Sequence, residues 1–363
     1  MKLDFVVKSQ QGSYGVNFYK SIKETEKYFL DQSEIFVIID KNISEIFKNQ
    51  FKFISRYPTY LIEANDLKKS LSQAEEIIKW LVGNQASKSS VILAIGGGFI
   101  QDLATFVSHV FNRGINWVYI PTTLLSQSDS CIGAKCGINV MSYKNQVGVF
   151  HAPTAVYIVE EFISTLTTLD RVSGLGEILK LSLTGRNQFY AEFKEYIFSN
   201  ELSVTKILPL IKQSLNAKKA IIEIDEYEKD VRRVLNYGHT FGHSLETITN
   251  YKIPHGIAVF FGIDVINYLG MKWGVTEAKY YFEINDLIKK ILASEHINVG
   301  VPKVKTIELI DGIKKDKKVI KGNINFAVLS SPGNIKIISK KIDDYLYQQV
   351  SEYMELDELF SST

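Results

Sequence analysis

Short apolar runs alternate with helical patterns over the first half of the chain. The runs cover residues 35–40, 57–63, 90–98 and 117–123 and are rich in Val, Ile and Tyr, as β-strands are. The segments between them repeat apolar residues every three or four positions, as amphipathic helices do. This alternation predicts a mostly parallel sheet with helices on both faces.

From about residue 165 onward the pattern is almost wholly helical, and strand signals return only at residues 324–331 and 335–339. We therefore predict two domains, an α/β domain at residues 1–160 and a mainly α-helical domain at residues 161–363. No segment rich in Pro, Gly or Ser separates them, so we expect the two domains to share a cleft, where ligands usually bind.

Charge and composition exclude several classes of protein. The 363 residues carry 42 basic and 40 acidic side chains, a formal net charge of +2, so no general basic field is available for nucleic acid or a membrane surface. No apolar run approaches the roughly 20 residues that span a bilayer, and residues 1–18 lack the apolar core of a signal peptide. Cys131 and Cys136 are too few for a disulfide framework, and we expect a reducing, cytoplasmic setting.

Three consecutive glycines, Gly96–Gly98, follow an apolar strand and precede a predicted helix that begins near Phe99. Glycines let backbone N–H groups approach a phosphate, and a helix N-terminus adds partial positive charge. This pattern indicates a pyrophosphate site, with Asp40 at the end of an earlier strand as a candidate ribose ligand. The stretch is not a G-x-G-x-x-G fingerprint, so a purely structural turn remains an alternative.

A polar stretch at residues 128–148 mixes cations, amides and an acid, which suits a polyhydroxylated anionic ligand. A solvated surface loop is the alternative interpretation. Its candidate side chains are Asp129, Lys135, Asn139, Lys144 and Asn145.

Three of the six histidines lie within seventeen residues. His239 and His243 are four positions apart and share a helix face, so both could bind one metal, or one could bind a metal and the other an anion. His255 follows twelve residues later. Glu177 is a candidate carboxylate ligand, although an ion pair with Lys180 would also explain it. No H-E-x-x-H motif is present, so a zinc peptidase is unsupported.

Seven segments in this order and near this spacing resemble the 3-dehydroquinate synthase family, the founding family of the sugar phosphate cyclases. The resemblance covers roughly residues 35–320. The segments are "GGGFIQDLATF", "NRGINWVYIPTTLL", "DSCIGAKCGIN", "KNQVGVFHAP", "SGLGEILK", "VRRVLNYGHTFGHSLE" and "HGIAV".

The resemblance implies a Rossmann-like nucleotide-binding first domain and a helical second domain that binds metal and substrate. It implies NAD and Zn²⁺ or Co²⁺ as cofactors. The implied reaction is transient oxidation of a sugar phosphate, elimination of phosphate, re-reduction and aldol closure of a carbocycle, with NAD regenerated. A homodimer is also implied, because Arg113 matches a phosphate-binding arginine that reaches the neighbouring subunit.

The resemblance also assigns roles to individual residues. Implied metal ligands are Glu177, His239 and His255. Implied phosphate-binding residues are Arg113, Asn145, His243 and one of Lys317 or Lys318. Implied cofactor-binding residues are Asp40, Asp66, Lys69, Gly96, Gly97, Gly98, Asp102, Thr122, Thr123, Lys135 and Lys144. Implied catalytic and substrate-binding residues are Asp129, Lys135, Lys180, Lys218, Arg232, Asn236 and His243.

Substrate identity is the remaining question. Lys218 and Arg232 stand where 3-dehydroquinate synthases place two cations for a substrate carboxylate, which favours that activity. Gln101 replaces a usual glycine, and Ser128 and Ala134 have counterparts in cyclases that act on neutral sugar phosphates, with valiolone- or 2-deoxy-scyllo-inosose-type products. Alternatives from other classes are an NAD- and metal-dependent polyol dehydrogenase of the same architecture and a non-catalytic binding protein.

Overall fold

The computed structural model describes residues 4–29, 34–64, 68–141, 143–199, 204–294, 304–314 and 322–356. Two compact units divide the chain, Met1–Leu166 and Thr167–Thr363. The predicted boundary after residue 160 falls at the start of a 3-10 segment, Glu160–Thr165, that belongs to the first unit.

The first unit is an α/β sheet domain. Its seven-stranded sheet has the order β1-β2-β9-β6-β5-β3-β4, and every neighbouring pair is parallel except β1 and β2. A separate antiparallel hairpin joins β7 and β8. The elements are β1 Phe5–Val7, β2 Tyr14–Tyr19, β3 Ile35–Asp40, α1 Lys41–Ile46, β4 Thr59–Ile62, α2 Leu71–Gly83, β5 Val91–Gly96, α3 Gly98–Val110, β6 Asn116–Pro121, β7 Ile138–Val140, β8 Tyr143–Val147 and β9 Ala155–Val159.

The predicted mostly parallel α/β domain is therefore confirmed. All six residues of β3 are buried, which requires cover on both faces of the sheet. The predicted strand at residues 90–98 ends earlier, at Gly96, because Gly98 already begins α3. Cys131 and Cys136 are buried and are not joined in a disulfide.

The second unit is mainly helical, as predicted. Its central helix, α8, is buried from Gly256 through Gly270, so helices must surround it. No helix in the described part of the chain is long and apolar enough to cross a membrane. The elements are α4 Thr168–Thr184, α5 Asn187–Phe198, α6 Val204–Ile222, α7 His239–Ile248, α8 His255–Lys272, α9 Ala278–Ser294, α10 Thr306–Lys314, β10 Asn323–Ser331, β11 Asn334–Lys341 and α11 Asp344–Leu356.

Ala134 has a left-handed backbone conformation, with a φ of 58°, and is buried. This conformation brings the Cβ atom of any L-residue too close to its own backbone, whereas glycine adopts it freely. Ala134 therefore stores backbone strain directly before Lys135.

We expect Ala134→Gly to raise the thermal unfolding midpoint by about 1 °C, because relief of roughly 1–2 kcal/mol of strain exceeds the roughly 0.8 kcal/mol lost with one buried methyl group. Differential scanning calorimetry measures the change. Ala152→Gly is the matched control, since Ala152 does not have a positive φ, and it should not stabilise the protein. A lower midpoint for Ala134→Gly would contradict the strain at this position.

Candidate functional site

Glycines bring three helices of the second unit into backbone contact. A Cβ atom at Gly256 of α8 would lie 1.7 Å from the carbonyl oxygen of Ser173 in α4. A Cβ at Gly242 of α7 would lie 2.7 Å from the carbonyl oxygen of Ala258 in α8. Since no larger side chain fits at either contact, α4 and α7 approach α8 as closely as helix backbones can.

This close packing places the Glu177 carboxylate of α4 among basic side chains from all three helices. Glu177 is 2% exposed. Its Oε1 atom lies 2.9 Å from His255 Nε2 and 3.4 Å from His239 Nε2. Its Oε2 atom lies 2.6 Å from Lys180 Nζ, an ion pair that lacks the direction of a good hydrogen bond. The predicted Glu177–Lys180 pair thus coexists with the predicted contacts to histidine.

The groups around the Glu177 carboxylate favour its ionised form. Burial alone would raise the pKa of its carboxyl group, but the charge of Lys180 and the contacts with His239 hold that pKa well below its usual range. Burial lowers the pKa of His239. Burial also opposes protonation of His255, yet Glu246 and Glu177 together raise its pKa to about 10.

The three clustered histidines converge as the sequence predicted. One ring nitrogen from each of His239, His243 and His255 lies within 4.8 Å of the others, close enough to hold one metal ion. The ring nitrogen of His243 is therefore as well placed to bind a shared metal ion as those of His239 and His255, the two predicted histidine ligands. This geometry fits both arrangements that the spacing allowed, three histidine ligands or a division between metal and anion.

Two carboxylates that the sequence analysis missed contact predicted residues of this unit. Glu246 Oε2 lies 3.2 Å from His255 Nδ1, which directs the opposite ring nitrogen of His255 toward Glu177. Glu228 accepts a hydrogen bond of 2.7 Å from Asn236 Nδ2. Glu228 has a left-handed φ of 58°, a feature that its sequence neighbourhood does not reveal.

Three cationic residues of the second unit that are predicted for substrate binding are buried, which is rare for such side chains unless they are paired or bind ligands. Lys180, Lys218 and Arg232 are each less than one-tenth exposed. They project from α4, from α6 and from the 3-10 segment Val231–Asn236, and both α6 and this segment pack against α4. The guanidinium group of Arg232 donates to the carbonyl oxygen of Glu226.

In the first unit, the glycine-rich turn has the predicted form, a strand that leads directly into a helix. Gly97 is the N-cap of α3. A Cβ at Gly96 would lie 2.3 Å from Ile100, and one at Gly97 would lie 2.9 Å from Thr123, whereas one at Gly98 would meet no atom within 4 Å. Gly98 therefore faces open space at a helix N-terminus, where an anion is favoured.

Lys69 links several of the residues predicted for cofactor and phosphate binding. Its Nζ atom lies 2.7 Å from Asp102 Oδ2 and 2.8 Å from Asn145 Oδ1. The other carboxylate oxygen of Asp102 accepts the backbone N–H of Gly137 at 3.2 Å. Asp102 on α3 and Asn145 on β8 are thus held together by one buried ammonium group.

Asp129 lies in a turn of π-helix, Ser126–Ser130, and is buried. Such turns are rare and occur frequently at functional sites. Gln101 of α3 bonds Ser130 reciprocally, since its amide donates to the Ser130 carbonyl at 2.6 Å and accepts the Ser130 hydroxyl at 2.6 Å. The residue that departs from the family pattern therefore ties the helix of the glycine-rich turn to the π-turn.

The remaining predicted residues of the first unit occupy varied positions. Asp40 caps α1 by accepting the backbone N–H groups of Asn42 and Ile43, and burial raises its pKa. Thr122 is buried, and Thr123 shares a hydrogen bond of 2.7 Å with Ser126.

Lys135 is exposed and Lys144 is half-buried on β8. Asp66, Lys317 and Lys318 lie outside the described residues.

Arg113 is not among the residues that Lys69 links, which are Asp102 and Asn145. It follows α3 in a short 3-10 segment, Phe111–Arg113, and lines a surface cavity of about 550 Å³ together with His109 and His151. Its guanidinium group forms no hydrogen bond or ion pair with any residue in the described part of the chain.

Comparison with solved structures defines the class of fold. A 2-deoxy-scyllo-inosose synthase complexed with carbaglucose-6-phosphate, NAD⁺ and Co²⁺ has a TM-score of 0.85 at 20% identity, over 96% of this chain and 99% of that chain. A 2-epi-5-epi-valiolone synthase from Streptomyces hygroscopicus subsp. jinggangensis, with NAD⁺ and Zn²⁺ bound, has the same TM-score and identity over 97% of this chain and 100% of that chain. The fold is that of the sugar phosphate cyclases.

Sequence comparison identifies the family within this class. Residues 59–172 match the 3-dehydroquinate synthase N-terminal family and residues 174–319 match its C-terminal family. The 3-dehydroquinate synthase of Dictyoglomus turgidum is 34% identical over 88% of this chain and 89% of its own length. That of Alkaliphilus metalliredigens is 30% identical over 93% and 96%. The chain belongs to the 3-dehydroquinate synthase family, which confirms the resemblance.

We expect Gln101→Ala to lower the free energy of unfolding by about 1–3 kcal/mol, because the partly buried Ser130 carbonyl loses its donor. Chemical denaturation of Gln101→Ala, Ser130→Ala and the double variant measures the coupling between the two side chains. The double variant should cost less than the sum of the single variants. Additive costs would show that the two side chains act independently.

Proposed function

We propose that this chain is an NAD- and divalent-metal-dependent sugar phosphate cyclase that converts 3-deoxy-D-arabino-heptulosonate 7-phosphate to 3-dehydroquinate with release of phosphate. The observation that carries the proposal is the buried Glu177 carboxylate, surrounded by Lys180 and two histidines, in a chain of this family. When bound, NAD supplies a hydride acceptor and donor, and the metal supplies a Lewis acid for an alcohol oxygen.

The donor set at Glu177 fits Zn²⁺ or Co²⁺, because both metals take imidazole nitrogen and carboxylate oxygen. We assign Glu177, His239 and His255 as the ligands. Glu177 contacts both of these histidines directly, and Glu246 orients His255 from behind. His243 then serves the substrate phosphate as a hydrogen-bond donor.

The buried cations of the second unit hold the rest of the substrate. Lys218 and Arg232 bind its carboxylate, and Lys180 and Asn236 orient its hydroxyl groups. A guanidinium group suits a carboxylate because two parallel N–H groups match the two oxygens. Asn236 is itself fixed by Glu228, so its amide is oriented before substrate binds.

In the first unit, NAD lies against the glycine-rich turn, with its pyrophosphate at the open face of Gly98. Lys69 and Asp102 border the cofactor and hold Asn145, which binds the substrate phosphate. We assign Asp129 and Lys135 to substrate binding as well.

Arg113 completes the site of a second copy of the chain, so the active form is a homodimer. Two observations support this assignment. The cavity that Arg113 lines does not include Asn145, and the guanidinium group has no partner in the described part of its own chain.

A second candidate is a cyclase for a neutral sugar phosphate. Gln101, Ser128 and Ala134 favour it, because Gln101 replaces a glycine usual in 3-dehydroquinate synthases, and Ser128 and Ala134 have counterparts in cyclases that act on neutral sugar phosphates. Their positions leave the proposed metal ligands unaltered, so the reaction type is shared and the substrate differs.

Release of inorganic phosphate by the zinc-loaded protein with catalytic NAD tests the function. We expect release from 3-deoxy-D-arabino-heptulosonate 7-phosphate, none from sedoheptulose 7-phosphate or glucose 6-phosphate, and no net NADH. Release from a neutral sugar alone would establish the second candidate. Net NADH from a polyol without phosphate release would instead indicate a dehydrogenase.

The metal assignment predicts different behaviour of neighbouring histidines. We expect His239→Ala and Glu177→Gln to lose bound Zn²⁺, whereas His243→Ala retains it and loses turnover. Elemental analysis after gel filtration gives the Zn²⁺ content, and circular dichroism shows whether each variant is folded. Loss of Zn²⁺ from folded His243→Ala would assign His243 as a ligand.

The assignment of Arg232 to the substrate carboxylate predicts that removal of its side chain lowers activity toward the carboxylated substrate. We expect Arg232→Ala to lower kcat/KM for the carboxylated substrate by about tenfold to a hundredfold, since a charged hydrogen bond contributes about 1.5–3 kcal/mol. Arg233→Ala is the matched control, because Arg233 lies next in the same 3-10 segment and is exposed. An equal loss in both variants would remove Arg232 from the carboxylate site.

A further inference from the structure

The turn that carries Arg113 has an unfavourable backbone. Asn112, Arg113 and Gly114 follow one another with φ values of 47°, 58° and 101°. Two of these residues are not glycine, and L-residues adopt this left-handed conformation only at a cost in free energy. Such a run persists only where surrounding contacts hold it, and strained residues of this kind cluster at functional positions.

The side chain of Lys88 contacts all three carbonyl groups of this turn. Its Nζ atom donates to the carbonyl oxygens of Asn112 at 3.0 Å and Arg113 at 3.1 Å, and also to that of Gly114. An ammonium group has three protons, so three carbonyls satisfy it completely. The consecutive left-handed residues turn their carbonyl groups toward one point, and Lys88 occupies that point.

Lys88 is itself held by an ordered loop. The hydroxyl groups of Ser87, Ser89 and Ser90 all lie within 3.4 Å of Glu34 Oε2. Hydrogen bonds from Ser89 and then Ser87 lower the pKa of Glu34, so this carboxylate remains ionised at neutral pH. The segment on either side of Lys88 is thus tied to one carboxylate at the start of β3.

We infer that Lys88 is a positioning residue for Arg113, and that Glu34 supports it by ordering the Ser87–Ser90 loop. Lys88 does not line the cavity that Arg113 lines. It fixes the backbone from which the guanidinium group projects, so that Arg113 meets a phosphate without first paying the entropy of ordering its turn. This role rests on the proposed phosphate-binding function of Arg113.

Hydrogen exchange tests the turn without any turnover. In Lys88→Met we expect the amides of Gly114 and Ile115, which bond Phe111 and Ser108 carbonyls in the wild type, to exchange about tenfold faster. Glu34→Gln should give a smaller increase. Lys79→Met is the matched control, because Lys79 is an exposed lysine of the same unit paired with Glu75 and Glu76, and it should change nothing at this turn.

Steady-state kinetics test the link to Arg113. We expect Lys88→Met to raise KM about threefold to tenfold with kcat within about twofold, and Lys88→Arg to recover most of the loss. In an Arg113→Ala background, Lys88→Met should have no further effect, because Lys88 acts through Arg113. An unchanged exchange rate in Lys88→Met, or a KM increase that persists without Arg113, would overturn the inference.

Failure of the proposed function is distinguishable from failure of this inference. If the wild type releases phosphate from none of the sugar phosphates, calorimetric binding of inorganic phosphate replaces kinetics. Weaker phosphate binding in both Lys88→Met and Arg113→Ala would then uphold the role of Lys88 while rejecting the cyclase. Phosphate binding that is unaffected by Lys88→Met would overturn the inference.

Discussion

Backbone contact between helices is the constraint on which the rest of the second unit depends. Helices with ordinary side chains at their crossings stay 8–10 Å apart. Here Gly256 and Gly242 allow α4 and α7 to approach α8 until backbone atoms touch. At that separation Glu177 from α4 contacts His239 from α7 and His255 from α8. The glycines therefore build the polar centre, although none of them has a side chain to contribute.

The close packing buries the charge of the Glu177 carboxylate, and the groups around this carboxylate offset the cost of its burial. A carboxylate as buried as Glu177 is costly unless charged partners surround it. Lys180 and His255, whose pKa is raised, provide those charged partners, His239 contacts the same carboxylate, and Glu246 lies behind His255. An arrangement with several basic groups around one buried acid is well suited to exchange a proton for a metal ion, because the ligands are already oriented.

The first unit uses hydrogen bonding rather than buried charge alone to connect its polar segments. Lys69 joins α3 to β8, and Gln101 joins α3 to the π-turn of Asp129. Both links begin on the helix that follows the glycine-rich turn. Helix α3 therefore connects the side chains on either side of the proposed nucleotide site. Gln101 provides a hydrogen-bonded link that a glycine could not form.

The sequence by itself determined the order and type of the elements, because helix and strand periodicity are local properties of the chain. It also placed His239 and His243 on one helix face, and its motifs singled out Glu177 and the glycine-rich turn. Tertiary structure alone decided which distant side chains meet. The contacts of Glu246 with His255, Glu228 with Asn236 and Lys88 with the turn of Arg113 have no local signature, because each depends on how closely separate elements approach and on backbone angles that neighbouring residues do not specify.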